Sequence, residues 1–282
     1  MTTPARELVL LEYSGGRNGE TNERDVATIT MNNPDRRNAL DNDMFVALEN
    51  ALADVQKHST IRVVVLRANG PAFCAGFNLH AVANDASSAQ PVLAGYLHRL
   101  HHCIDMVSQL PAITIAAVSG AALAGGCALV STCDFVIATA DAKFGYPTHA
   151  IGLSPALSGP TLSSRMGLGA ARELLLGGEL ISGARAFELG FASHMVASEP
   201  EPKNPTSNTP NHNGALVQET SKLTHALLAK GPRALLATKR WLQQLDPLSH
   251  HTHRASALAA SMSGVGGGES VDRVAAVWKK RS

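Results

Sequence analysis

No stretch of the 282-residue sequence approaches the roughly 20 consecutive apolar residues that a membrane-spanning helix requires. The opening residues, MTTPARELVLLEYSGG, lack the apolar centre and cleavage site of a secretory leader. Charge of one sign is scarce: 24 basic residues face 23 acidic ones, and Lys and Arg are dispersed rather than striped. That balance gives no electrostatic case for nucleic acid or an anionic membrane surface. Cysteine is confined to Cys74, Cys103, Cys127 and Cys133, all in apolar segments and without metal-type spacing. Free buried thiols are expected rather than disulfides. Histidine is denser, notably in HRLHHCID (98–105) and SHHTH (249–253), but no acidic or cysteine partner recurs beside it at ligand spacing. No metal is expected, and the protein is expected in the cytoplasm.

What is present suits a sizeable core, with 45% hydrophobic and 17% charged residues. VATITMNN (26–33) and IRVVVLRAN (61–69) are β-branched runs that end in Asn, and both read as buried strands. Between them Met44, Phe45, Leu48, Leu52 and Val55 recur at helical spacing over 41–58, with Asp41 as N-cap. ITIAAVSG (113–120) predicts another strand, and CDFVIATADAKFGYP (133–147) predicts a strand followed by a turn at Pro147. Helices are predicted over 164–178, stopped by Gly177-Gly178, and over 184–190, stopped by Gly190. Strands alternating with helices argue for an α/β architecture with a buried sheet.

The composition then changes. SEPEPKNPTSNTPNHNG (198–214) has almost nothing to bury and predicts a polar linker or surface loop. Beyond it two helical periods flank Gly231-Pro232, GVGGGES (264–270) predicts a flexible joint, and VDRVAAVWKKR predicts a short basic helix. The expected organisation is an α/β core over 1–197, the linker, and a helical C-terminal region over 215–282.

SGAALAGGCALVSTCDF (119–135) carries the chemistry. Small residues run up to Gly125-Gly126, and a helix-compatible stretch begins at Cys127. A backbone bare of side chains just before a helix lets a ligand reach peptide N–H groups, and the helix dipole there favours negative charge.

With NNPDRRNAL (32–40), PAFCAGFNL (71–79), the segment running from Ala116 to Pro147, ARELLLGGELISGARAFELGFASHMV and GPRALLATKR, the chain resembles the crotonase (enoyl-CoA hydratase/isomerase) superfamily. The resemblance covers nearly the whole chain. It implies a spiral of ββα units, a helical trimerisation region, and trimers or dimers of trimers. It also implies an acyl-CoA substrate whose thioester enolate is stabilised, with coenzyme A arriving as part of the substrate and no tightly bound cofactor. Carried over by position, the oxyanion donors are the N–H groups of Phe77 and Gly125. Arg37, Ala39, Ala75, Phe77, Asn78, Leu79, Ala124 and Gly125 fall on the coenzyme A path. Val277, Trp278, Lys280 and Arg281 of the last helix suggest a clamp for its phosphate.

The departures matter as much. Where the resemblance implies catalytic glutamates, this sequence has Ala128 and Thr148; an alternative carboxylate position holds Ala156, and the Asp after Ala-Gly-x is Asn78. A positioned acid or base contributes about 10²–10⁴-fold, which a methyl cannot supply. Candidate substitutes nearby are Tyr146, His149, Ser154, Ser158 and Cys127. His149 suits acid–base work, although neighbours on an extended segment point to opposite faces. The expected activity is hydratase- or isomerase-like chemistry on an acyl-CoA; the alternatives are a decarboxylase and a non-catalytic acyl-CoA-binding paralogue.

Overall fold

A computed structural model describes residues 7–15, 24–80, 82, 86–199, 214–245, 251–266 and 269–279. Six strands form the first sheet: β1 (Val9–Ser14), β2 (Val26–Met31), β3 (Val63–Ala68), β5 (Ile113–Val118), β7 (Phe135–Thr139) and β10 (His194–Val196). They lie in the order β1-β2-β3-β5-β7-β10, antiparallel only between β1 and β2. A second sheet holds β4 (Ala72–Cys74), β6 (Ala121–Leu123), β8 (Lys143–Gly145) and β9 (Ile181–Ser182). Each of β3, β5 and β7 leaves the first sheet and enters the second within a few residues, as β4, β6 and β8. After β4 and β6 a helix follows, α2 (Ala86–Gln109) and α3 (Gly125–Thr132). This repeated β-β-α step is a mixed α/β spiral.

The central strands β2, β3, β5 and β7 are buried along most of their length on both faces, as near-continuous apolar runs require. One face meets the main core, to which α1 (Asn42–Lys57) contributes Met44, Phe45, Leu48, Leu52 and Val55. The Asp41 side chain caps α1 by accepting the Met44 amide at 3.1 Å. The other face is covered by α6 (Gly214–Leu228), which sets Leu216, Leu227 and Leu228 against Val63, Ile115 and Ile137.

The 133–147 segment forms two strands, not one, because Ala142 and Lys143 bond back to Thr139 and Gly120 and turn the chain into β8. The helix expected from 164 starts earlier, as α4 (Gly159–Gly177), and breaks at Gly167. The short helix α5 (Gly183–Glu188) is capped by the Ser182 hydroxyl, which accepts the Arg185 amide.

At the C-terminal end come α7 (Pro232–Leu245), α8 (His251–Gly266) and α9 (Glu269–Lys279). Of the joint expected over 264–270, residues 267 and 268 lie outside the described residues; α8 continues to Gly266 and α9 begins at Glu269. Val265, 1% exposed, is buried in a third apolar cluster, and that packing outweighs the poor helix propensity of glycine. The linker expected over 198–214 lies, apart from its ends, outside the described residues.

Candidate active site

Two chain segments are locked together beside the second sheet. Asn38 is fully buried; its amide donates to the Asn69 and Ala72 carbonyls at 2.9 Å each, and its oxygen accepts the Asn33 amide at 2.7 Å. Those bonds hold Arg37 and Asn38 in the left-handed region and fix the 33–40 loop. The loop then pairs with the 75–78 segment: Ala75 N–H donates to Arg37 O, Leu40 N–H to Gly76 O and Asn78 N–H to Leu40 O, at 2.8–3.0 Å.

A third segment, 123–125, packs on the second. Gly76 has φ +88°, and a Cβ there would stand 3.1 Å from Ala124 Cβ, 3.2 Å from Leu123 O and 3.8 Å from Gly125 N. Ala124 itself is left-handed, at φ 49° and ψ −113°, a conformation that costs a non-glycine residue about 1–3 kcal/mol. The strained residue is the N-cap of α3, whose first amides have no acceptor within their own helix. Among the described residues, neither the Phe77 nor the Gly125 amide finds an acceptor in the chain.

Arg37, Ala39, Ala75, Phe77, Asn78, Leu79, Ala124 and Gly125 are thus gathered around two contacts. Asn78 is engaged at the rim, donating to Asp41 Oδ2 at 3.0 Å and accepting the His80 amide. Phe77 packs edge-on to Phe45 and lies 5.5 Å from the Tyr96 ring, a neighbour that periodicity alone did not single out. With Leu79 it borders the third apolar cluster, where Val82, Leu93, Leu97, Leu153, Val265 and Val274 meet. Helix α9 packs against α8, α2 and the 149–151 turn of its own chain, with Ser270 close to Gly152. Val277 is half-buried in α9. The Trp278 side chain, Lys280 and Arg281 lie outside the described residues, and with them the suggested phosphate clamp.

No carboxylate stands at any of the positions where one was sought. Ala128 is wholly buried in the main core, and Ala156 sits in a short 3₁₀ turn. Tyr146 and the Thr148 hydroxyl are buried, whereas Pro147 and His149 are exposed; the chain is not extended here, since Thr148 is helical in conformation and leads into a short 3₁₀ turn over His149–Ile151. His149 is therefore not brought in among the buried side chains. The Tyr146 and Thr148 hydroxyls are both buried without a hydrogen-bond partner. Burial pushes the Tyr146 phenol well above its ordinary value, and the Cys127 thiol beside it up to about 12. Ser154 accepts the Ala156 amide at 3.3 Å, and Ser158 is buried close to Tyr146.

Residues 21–241 match the family model described as enoyl-CoA hydratase/isomerase. The chain belongs to the enoyl-CoA hydratase/isomerase family. It is 30% identical over 220 residues to a putative enoyl-CoA hydratase of Thermus thermophilus, covering 78% of this chain and 81% of that one. It is 28% identical over 219 residues to the crotonyl-CoA hydratase of Syntrophomonas wolfei, covering 77% of each. Among solved structures, an enoyl-CoA hydratase/isomerase from Xanthobacter autotrophicus superposes with a TM-score of 0.79 at 26% identity, over 97% of both chains. An enoyl-CoA hydratase of Mycobacterium smegmatis gives 0.72 at 29% identity, over 97% of this chain and 96% of that one. The β-β-α spiral is accordingly the crotonase fold. Among the described residues no helix is long and apolar enough to cross a membrane.

Proposed function

We propose that this family member binds an acyl-CoA thioester and stabilises its enolate with the Phe77 and Gly125 amides, without ordinary hydratase acid–base chemistry. The supporting observation is a pair of amides without acceptors on two segments packed in contact, one of them beginning a helix behind the strained Ala124. Preorganised donors of this kind are each worth roughly 3–4 kcal/mol to a developing oxyanion. The acyl chain would enter the apolar cluster bordered by Phe77 and Leu79, and coenzyme A would be part of the substrate rather than a resident cofactor.

Ala128 and Thr148 argue against addition of water, since neither holds or activates it as a carboxylate does. Chemistry that generates the enolate without a protein base fits this absence of carboxylates better, and decarboxylation is the leading case. The wholly buried methyl of Ala128 also suits a second reading, a non-catalytic acyl-CoA-binding paralogue. A panel of CoA thioesters separates them: CO₂ release supports decarboxylation, water addition to crotonyl-CoA removes the present reading, and binding without turnover supports the paralogue.

The working assembly would be a trimer or dimer of trimers in the cytoplasm. Trp241, Leu242 and Leu245 on α7, each 58–59% exposed, offer apolar surface for subunit contact. Light scattering that gives a monomer at micromolar concentration refutes that assembly.

A further inference from the structure

A cavity of about 350 Å³ opens where five helices meet. Ser108 of α2, Ser131 of α3, Thr161 and Arg165 of α4, Lys239 of α7 and Arg254 of α8 all line it. None of them is among the residues gathered at the Gly76–Ala124 contact. The volume falls at the lower end of the roughly 300–1,000 Å³ usual for small-ligand pockets. Ser164, also on the lining, is exposed, so the mouth reaches solvent.

The lining carries three cations, Arg165, Lys239 and Arg254, and one carboxylate, Asp134. Lys239 pairs with Asp134 at 2.7 Å, and Arg254 with Asp105, which is not part of the lining, at 2.9 Å. Asp105 also lies 3.5 Å from His101. Among the described residues Arg165 meets no carboxylate at ion-pair distance; it donates to the Ser131, Cys133 and Phe191 carbonyls instead. Three cations against two carboxylates leave one positive charge over, before His101 is counted. Burial already holds the Arg165 guanidinium below its ordinary value, and a charge withdrawn from water is costly unless it is paired.

Hydrogen-bond donors are left over as well. A guanidinium carries five N–H groups and an ammonium three. Arg254 Nη1 serves Asp105 and Ser108, while its Nε is buried without a partner. Lys239 uses two of its three on Asp134 and the Ala112 carbonyl. The Ser131 and Thr161 hydroxyls, 2.8 Å apart, add a pair that can donate or accept. A buried N–H without an acceptor calls for an explanation, and an anion in the cavity supplies one for charge and donor together.

We infer that this cavity binds a phosphate-type oxyanion, either free phosphate or the phosphate group of a small metabolite. Its cations stand on three different helices, α4, α7 and α8, and so surround the space rather than flank it. A tetrahedral oxyanion offers acceptors in every direction, whereas a carboxylate offers two oxygens in one plane. Charge-assisted bonds from Arg and Lys to phosphate are the strong ones, and salt screens them less in a partly buried site. The cavity shares no residue with the proposed enolate site, so the two stand or fall separately.

The test uses the full-length protein in a zwitterionic buffer at constant ionic strength, with binding read by calorimetry. Inorganic phosphate and glycerol 3-phosphate are the probes, and malonate is the carboxylate control. One site per chain is expected, with a Kd of about 1 mM or tighter; whichever probe binds more tightly tells free ion from monoester. Ser164→Glu sets a negative charge at the mouth and should weaken phosphate by about tenfold or more, while Ser164→Ala stays within about twofold. Arg254→Gln should weaken it by roughly 10–100-fold, the scale of a lost hydrogen bond to a charged group. The exposed Ser164 position keeps the test open if Arg254→Gln does not fold. Saturating butyryl-CoA should leave the phosphate affinity unchanged. The site is overturned by no saturable binding of either probe at millimolar concentration, or by malonate binding as tightly as phosphate. Full affinity in Ser164→Glu or in a folded Arg254→Gln overturns it too. So does competition by butyryl-CoA, which would move the phosphate to the coenzyme A path. Phosphate bound as expected by a protein that binds no CoA thioester removes the acyl-CoA reading and leaves this site standing.

Discussion

Gly76 and Ala124 lie so close that a Cβ on the glycine would stand 3.1 Å from that of the alanine. The contact joins the Phe77 segment to the start of α3, and both residues are left-handed. Gly76→Ala should destabilise the fold by about 1–3 kcal/mol through its positive φ and should also separate the two amides. The expected outcome is a lower melting temperature with acyl-CoA affinity reduced at least tenfold. Full affinity in the Gly76→Ala variant would remove the close contact from the account of the site.

Local pattern carried the reading a long way. The Asp41 cap and the Met44-Phe45-Leu48-Leu52-Val55 stripe of α1 were legible because N-capping and amphipathic period are short-range. The Gly-flanked segments at 76 and 125 were legible because only small residues permit such backbone approach. Long-range consequences were not. The α8 helix contains weak formers such as Gly264 and is held by Val265 in the third cluster. The Ser131–Thr161 bond joins α3 to α4, and Lys239 reaches Asp134 across 105 positions; no local period records either.

Lys239 donates to Asp134 Oδ2 and to the Ala112 carbonyl, each at 2.7 Å, and its own side chain is almost wholly buried. Asp134 also accepts the Thr114 amide and hydroxyl. Lys239→Met should cost about 3 kcal/mol, the low end for breaking a buried pair, because Asp134 keeps Thr114 and some exposure. Denaturant unfolding measures it. A loss below about 1 kcal/mol would mean that the pair contributes no more than a surface one.

Cys74, Cys103, Cys127 and Cys133 are buried free thiols, each pushed up to about 12 chiefly by burial. A raised thiol value leaves the protonated, unreactive form at pH 8. Ellman's reagent should therefore find no rapidly reacting thiol in the native protein at pH 8 and four in guanidinium chloride. A native thiol titrating within seconds would contradict this burial.

Ala128 and Thr148 set the sharpest test of the lost acid–base chemistry. If the amides of Phe77 and Gly125 already form the oxyanion site, wild type should bind crotonyl-CoA yet hydrate it very slowly. Ala128→Glu with Thr148→Glu should then raise kcat/KM by roughly 10²-fold or more, because only water activation is absent. Either replacement alone should achieve little, since groups that act together on one water are non-additive. Two neighbouring carboxylates repel, so one would titrate high and the gain would depend on pH. Ala128 is fully buried, so the longer side chain must also displace its neighbours, at about 1–3 kcal/mol of stability. The measurement is kcat/KM for crotonyl-CoA in wild type, both single variants and the double variant, with melting temperatures to separate activity from folding. A wild type that hydrates crotonyl-CoA at ordinary enzyme rates would show that other groups serve as acid and base, and that Ala128 and Thr148 are not what limits this site.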